Sequence, residues 1–339
     1  MILNVLFLKF IITVGAIVSL YCVMPFSIIE RIQPYTFDGN EMTIDYHIVV
    51  NMSRREQHLV KEIISDTFLE IDQIYNNWNE RSEVSKINRL NAYETISLSP
   101  QLEHFLQLTE KIVKLSEGRF DPTIAPLQQI WKDHLEKGEI PIQEEINEIL
   151  PCIGWDHLHF GKGKIFKDNS KTSLDFGGIA KGYCVDLLLE RIVAAGFDHV
   201  IVEWGGEIRA HGRRSAKHPW NVIVGGFDEM NSQNAIAQII LDNQSIATSG
   251  DYIQKWSVQK NGGEIVYFHI INPQTAKPLE STLVSVASAT IVAPTCMVAD
   301  GLTKAVMMHP SLSEAKEWAD KMNRLDPTIK FLLFSRERD

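Results

Sequence analysis

The chain has 339 residues, 45% of them hydrophobic and 22% charged, with a net charge of −10. That balance excludes a general nucleic-acid binder, which needs a basic face to displace counterions, yet it leaves room for a local basic pocket around an anion. Of the cysteines, Cys22 lies in an apolar N-terminal stretch; Cys152, Cys184 and Cys296 cannot pair completely and show no metal-binding spacing, so no disulfide framework is expected.

From Met1 to Ile29 the only charge is Lys9, and Phe10 to Ile29 is about the ~20 residues that cross a bilayer. The bulky run Tyr21-Cys22-Val23-Met24-Pro25 offers no small-x-small cleavage site, and Ser19-Leu20-Tyr21-Cys22 is no lipoprotein box. An uncleaved signal anchor over 1–33 is expected, with a catalytic domain over 34–339 outside the cytoplasm. A cleaved signal peptide and a buried core helix are the alternatives. Lys9 before the span, and Glu30 with Arg31 after it, give only a weak orientation signal.

Gly39 to Val50 alternates and ends in β-branched residues, which predicts a first strand. Gln57 to Tyr75 carries Val60, Ile63, Ile64, Phe68, Ile71 and Ile74 on one helical face. In the polar stretch that follows, Trp78 is either an aromatic lid on the core edge or a stacking platform for a planar ligand. Ser99 to Leu115 reads as a helix with a serine cap, stopped by Gly118. Arg119 to Pro126 is a loop constrained by two prolines, in which Asp121 serves most simply as a turn or cap. Short helices are expected over 127–135 and 144–149, and a hairpin over 157–167.

The stretch Ser173 to Asp186 is the most informative. A strand end at Thr172 to Leu174 places Asp175 before Gly177 and Gly178, and a helix pattern follows at once with Lys181 near its start. Free backbone N–H groups and the helix dipole at such a turn favour a phosphate or pyrophosphate. Strands follow over 196–204, 220–225 and 235–241, with Gly205-Gly206-Glu207 after the first. Ser245 to Tyr252 is a strand end rich in hydroxyls. His269 lies in a strongly β segment, where a hydrogen-bonded core histidine is the plain expectation. A strand over 285–292 precedes an apolar helix over 294–308 that carries one charge pair, Asp300 and Lys304. That spacing is either an ion pair or, beside a phosphate site, part of a hard-cation site. A surface helix over 313–322 and a strand over 329–335 complete the chain, with no internal repeat.

Taken in order, several stretches resemble the FAD:protein FMN transferases of the ApbE type. They are Gly39-x-x-Met42, Trp78-x-x-x-Ser-Glu-Val-Ser with Asn88, and Ser116-Glu-Gly-Arg-Phe-Asp-Pro-Thr123. The series continues with Asp175-Phe-Gly-Gly-Ile-Ala-Lys-Gly182, Gly205-Gly-Glu-Ile208, Thr248-Ser-Gly-Asp-Tyr252, His269-Ile-Ile-Asn-Pro273 and Ala299-Asp300. The resemblance implies an α+β fold of mixed and antiparallel sheets packed with helices in a single catalytic domain. It implies transfer of FMN from FAD to a threonine or serine of a partner protein, with Mg²⁺ assisting and AMP released.

By the same resemblance, Met42 and Trp78 hold the isoalloxazine, tryptophan replacing the usual tyrosine. Arg119, Phe120, Asp121, Asp175, Lys181 and Ile271 complete the cofactor set. The Gly178 carbonyl and Asp300 fall at magnesium positions, and His269 at the residue that activates the acceptor hydroxyl. The implied partner is a flavin-accepting redox subunit of a membrane electron-transfer complex, such as a sodium-pumping NADH:quinone reductase. A hydrolase splitting FAD to FMN and AMP, and a non-catalytic flavin-binding protein, are the competing readings.

One position departs from the pattern. Four residues after the aspartate the family usually has a threonine that completes the metal site; here Lys304 stands there and Thr303 one place earlier. A helical residue one place along points about 100° away, so Thr303 serves the metal only if the helix shifts. An ammonium so close predicts weakened Mg²⁺ affinity, unless Lys304 swings outward or partly replaces the ion.

Overall fold

A computed structural model describes residues 31–225, 235–251, 255–260 and 263–336. The expected anchor over Phe10–Ile29 lies outside the described residues. Among those described, no helix is long and apolar enough to cross a membrane.

The frame is a seven-stranded sheet whose strands follow chain order from edge to edge, each antiparallel to its neighbour. They are Gln33–Glu41, Ile44–Met52, Val200–Trp204, Glu207–His211, Ser245–Gly250, Ser288–Ala293 and Lys330–Phe334. Period-two burial sets their register: Ile48, Val50 and Met52 face the main core with Val200, Val202 and Trp204. The opposite face, carrying Ala210, Ile246 and Val292, is covered by the hairpin of Trp220–Gly225 and Ala235–Leu241.

Helices Ala180–Ala194 and Cys296–Met307 lie against the central strands and against each other. Helix Gln57–Ile74 turns Val60, Ile64, Phe68 and Ile71 inward, the spacing read from the sequence. Ser99 caps helix Pro100–Leu115 by accepting the Leu102 N–H at 3.1 Å. A second core forms where helix Ala125–Leu135 packs on the three-stranded sheet of Lys255–Lys260, Gly263–Asn272 and Lys277–Glu280.

Two expectations are corrected. The single strand over 39–50 is a hairpin, Glu41 pairing with Ile44 across a turn at Met42 and Thr43. Both turn residues have positive φ, 50° and 66°. Such turns normally signal themselves with Asn-Gly or Gly, and a methionine and a β-branched threonine give no such sign. Nor is Thr172–Leu174 a strand: beyond one bridge from Ser173 to Ile124 it has no ladder. Side chains hold it instead. Asn88 both donates to the Leu174 carbonyl (2.9 Å) and accepts its N–H (2.7 Å). The fully buried Lys167 ammonium donates to the carbonyls of Asn88, Ser170 and Thr172 at 2.7–3.0 Å.

Candidate active site

The stretch from Asp175 to Gly182 is fastened to the core at its centre. Phe176 is fully buried, its ring edge-on to Phe105 at 4.8 Å, and a side chain of that size contributes about 1.5–3 kcal/mol by burial. Asp175 accepts the Gly177 N–H at 2.7 Å and its own N–H reaches the Pro122 carbonyl at 2.8 Å. Burial pushes its carboxyl up. The turn is thereby joined to the Arg119–Thr123 loop.

Space around the glycines is used fully. A Cβ on Gly178 would lie 2.9 Å from the Phe120 ring and 3.8 Å from Lys304 Cε. One on Gly182 would lie 2.5 Å from the Cys296 carbonyl oxygen and 2.9 Å from Asp300 Cβ. Bare backbone at Gly182 is what lets the two central helices meet. That approach brings the Gly182 N–H to Asp300 Oδ2 at 3.1 Å. The other oxygen, Oδ1, accepts from the Lys304 ammonium. Asp300 is completely buried, while the Lys304 side chain is 15% exposed.

Next to this pair Lys181 Nζ donates to Glu207 Oε2 at 2.5 Å. Burial works against the Lys181 ammonium, but Glu207 and Asp300 outweigh it and hold its pKa above the ordinary lysine value. Burial first, and the Asp300 carboxylate next, push the Glu207 carboxyl up against the pull of Lys181 and Lys304. The four groups form one charge cluster at the start of helix Ala180–Ala194. Gly205 sits at φ 62°, where a Cβ would be 2.7 Å from Ile44 and 3.5 Å from Lys181 Cδ. The strained Met42–Thr43 turn therefore flanks the cluster, and strain of that kind gathers at ligand clamps.

Phe120 is buried against Gly178. Arg119 donates to Glu117 at 2.8 Å. Both Asp121 oxygens are engaged, Oδ1 by the Thr123 N–H and hydroxyl and Oδ2 by the Trp155 N–H, so Asp121 shapes its loop. Trp78 is 78% exposed, with the Lys132 ammonium 5.9 Å from its ring centroid. His269 is half-buried on strand Gly263–Asn272, where the register to Lys277–Glu280 shifts between Tyr267 and Ile271. Bulges of this type re-aim side chains. Ile271 packs in the second core. Thr303 is fully buried; its hydroxyl donates to the Asp300 carbonyl at 2.6 Å and so accepts from Ser249 at 2.7 Å.

Sequence reasoning gave no role to Asp186. Its oxygens accept the Cys296 and Met297 N–H groups at 2.8 and 2.9 Å, capping helix Cys296–Met307, and Arg209 adds a third bond at 2.9 Å. An acid on the apolar face of a buried helix was the available signal. Asp251, part of the Thr248–Tyr252 stretch, was given no partner from the sequence: the Arg336 guanidinium grips its carboxylate with both Nη atoms.

A model of the ApbE family matches residues 42–329. This chain belongs to the ApbE family. Over 290 residues it is 38% identical to the FAD:protein FMN transferase of Chlamydia pneumoniae, covering 84% of this chain and 88% of that one. The protein of the same name from Vibrio cholerae is 30% identical over 242 residues, 70% of each chain. The solved flavin transferase ApbE from Vibrio cholerae matches with a TM-score of 0.75 at 25% identity, covering 91% of this chain and 95% of that one. Pseudomonas stutzeri flavinyl transferase ApbE in its apo form matches at 24% identity and a TM-score of 0.78, covering 92% and 94%, a likeness of fold. The α+β architecture expected from the motifs is the ApbE fold.

The magnesium that the ApbE resemblance implies is tested by the donors present. Asp300 has given one oxygen to Lys304 and the other to Gly182. The Thr303 hydroxyl is committed to Ser249 and the helix backbone. A divalent ion about 4 Å from the Lys304 ammonium would be repelled by roughly 8 kcal/mol at an effective dielectric near 20. The residues present do not fit a divalent ion at Asp300.

Proposed function

We infer that the chain is an FAD:protein FMN transferase, taking FMN from FAD and joining it through a phosphoester to a threonine or serine hydroxyl of a target protein, with AMP released. The observation that carries this reading is the glycine turn at a helix start, flanked by Lys181, Phe120 and Asp300, in a chain that the ApbE family model spans from 42 to 329.

In this reading the glycine turn at the positive end of helix Ala180–Ala194 receives the pyrophosphate, and Lys181 turns from Glu207 toward it. Met42, Trp78, Arg119, Phe120, Asp121, Asp175 and Ile271 line or shape the flavin-nucleotide path. The acceptor oxygen attacks the FMN-side phosphorus in line; the bond from that phosphorus to the bridging oxygen breaks, and AMP leaves with the electron pair. His269 takes the hydroxyl proton. Because the donors at Asp300 do not suit Mg²⁺, no step here passes through it.

The target is a flavin-accepting redox subunit of a membrane complex, with a sodium-pumping NADH:quinone reductase the example suggested by resemblance. The apolar segment Phe10–Ile29 supports a site on the outer face of the same membrane.

Incubating the full chain with FAD and such a subunit tests the reaction. Flavin fluorescence travels with the subunit on a denaturing gel, and AMP appears in equal amount. FMN and AMP released with no labelled subunit would make the enzyme a pyrophosphatase instead. His269→Ala lowers the transfer rate by about 10²–10⁴-fold, with FAD still bound.

A further inference from the structure

We propose that the Lys304 ammonium stands in for the divalent cation, so that FMN transfer by this chain proceeds without a divalent metal. The inference rests on the transferase reading above, and deepens it at Asp300.

Three observations support it. Lys304 reaches Asp300 from within the same helix, one turn away, and Asp300 is completely buried, so the ammonium is held by a carboxylate that has no access to water. Its Cε lies close to Gly178, the residue whose carbonyl the resemblance assigns to the metal. The hydroxyl nearest the vacated threonine position, that of Thr303, already spends its proton on the Asp300 carbonyl and its lone pair on Ser249.

Charge bookkeeping agrees with the substitution. Lys181 and Lys304 are held by Glu207 and Asp300, and the pyrophosphate of FAD then arrives beside two ammoniums and a helix N-terminus. As the bridging oxygen departs on AMP, negative charge grows beside Gly178. A fixed ammonium there stabilises it without ligand exchange. Lys304 gives up no proton: the acceptor's proton still goes to His269, and the balance of the transfer is unchanged.

Direct metal binding decides the matter, with Mn²⁺ as the probe followed by electron paramagnetic resonance on the full chain in the presence of FAD. The wild type is expected to bind no Mn²⁺ below millimolar concentration, whereas Lys304→Thr gains one site at least tenfold tighter. In EDTA the wild type keeps its full rate of transfer. Lys304→Met loses about 10²-fold, and Lys304→Thr falls likewise in EDTA but recovers when Mg²⁺ is added. Micromolar binding of one Mn²⁺ by the wild type, or wild-type turnover that vanishes in EDTA and returns with Mg²⁺, overturns the proposal. So does a Lys304→Thr protein that ignores Mn²⁺ as the wild type does. If FAD is turned over under no condition, the transferase reading fails, while the Mn²⁺ titration still decides what Lys304 displaces.

Discussion

Two buried carboxylates face each other's helices across the same helix pair, and they are used in opposite ways. Asp186, on helix Ala180–Ala194, sends both oxygens to the backbone at the start of helix Cys296–Met307 and has Arg209 as counter-charge. Asp300, on helix Cys296–Met307, returns one oxygen to Gly182 and leaves the other to a side-chain ammonium. Asp186 is saturated by groups that cannot leave without unfolding a helix end. Asp300 is saturated by a lysine whose side chain is still partly exposed. The difference separates a carboxylate that builds the fold from one that holds a side-chain cation beside the glycine turn.

Substitutions separate the two roles. Asp300→Asn releases Lys304 from its place and is expected to lower FMN transfer by about 10²–10³-fold, read as labelled acceptor per minute at saturating FAD. Equal loss on removing Asp186 would erase the distinction. Asp186→Asn strips one charged partner from Arg209 and weakens the cap, so it should cost about 3 kcal/mol of stability. Denaturant unfolding measures that loss, and transfer per folded molecule stays at the wild-type level.

The smallest effect is a dependence on pH. Glu207's carboxyl is raised by burial and by Asp300, so the folded state holds its proton longer than the unfolded chain. Its contribution to stability is complete below the ordinary carboxyl value of 4.5 and is lost as pH rises toward about 7. Melting temperature should therefore decline over that interval, and Glu207→Gln should flatten the decline. A wild-type profile that rises instead would place the ionised form as the favoured one.

What the residues disclosed in advance was whatever depends on near neighbours. The amphipathic face of Gln57–Ile74, the serine cap at Ser99 and the helix after Gly178 all follow from spacing of a few residues. The Asp300–Lys304 pair was legible for the same reason, being one helical turn apart. Groups that meet only through tertiary structure were not. Lys181 and Glu207 are 26 residues apart, Asp186 and Arg209 are 23, and Asp251 and Arg336 are 85. The Met42–Thr43 turn stayed hidden for another cause. Its positive φ values are imposed by strand pairing on residues that do not prefer them. Thr172–Leu174 looked like a strand because its side chains suit one, but its backbone partners are an asparagine amide and a lysine ammonium.

The order of the large sheet has a consequence for how the chain is made. Each strand adds beside the one before it, and none has to slip between two strands already paired. A chain synthesised from its N-terminus can extend the sheet at an open edge, parking each helical excursion before the next strand arrives. The growing edge stays available to other chains until Lys330–Phe334 emerges, so the interval before the last strand is when the molecule is most exposed to mispairing.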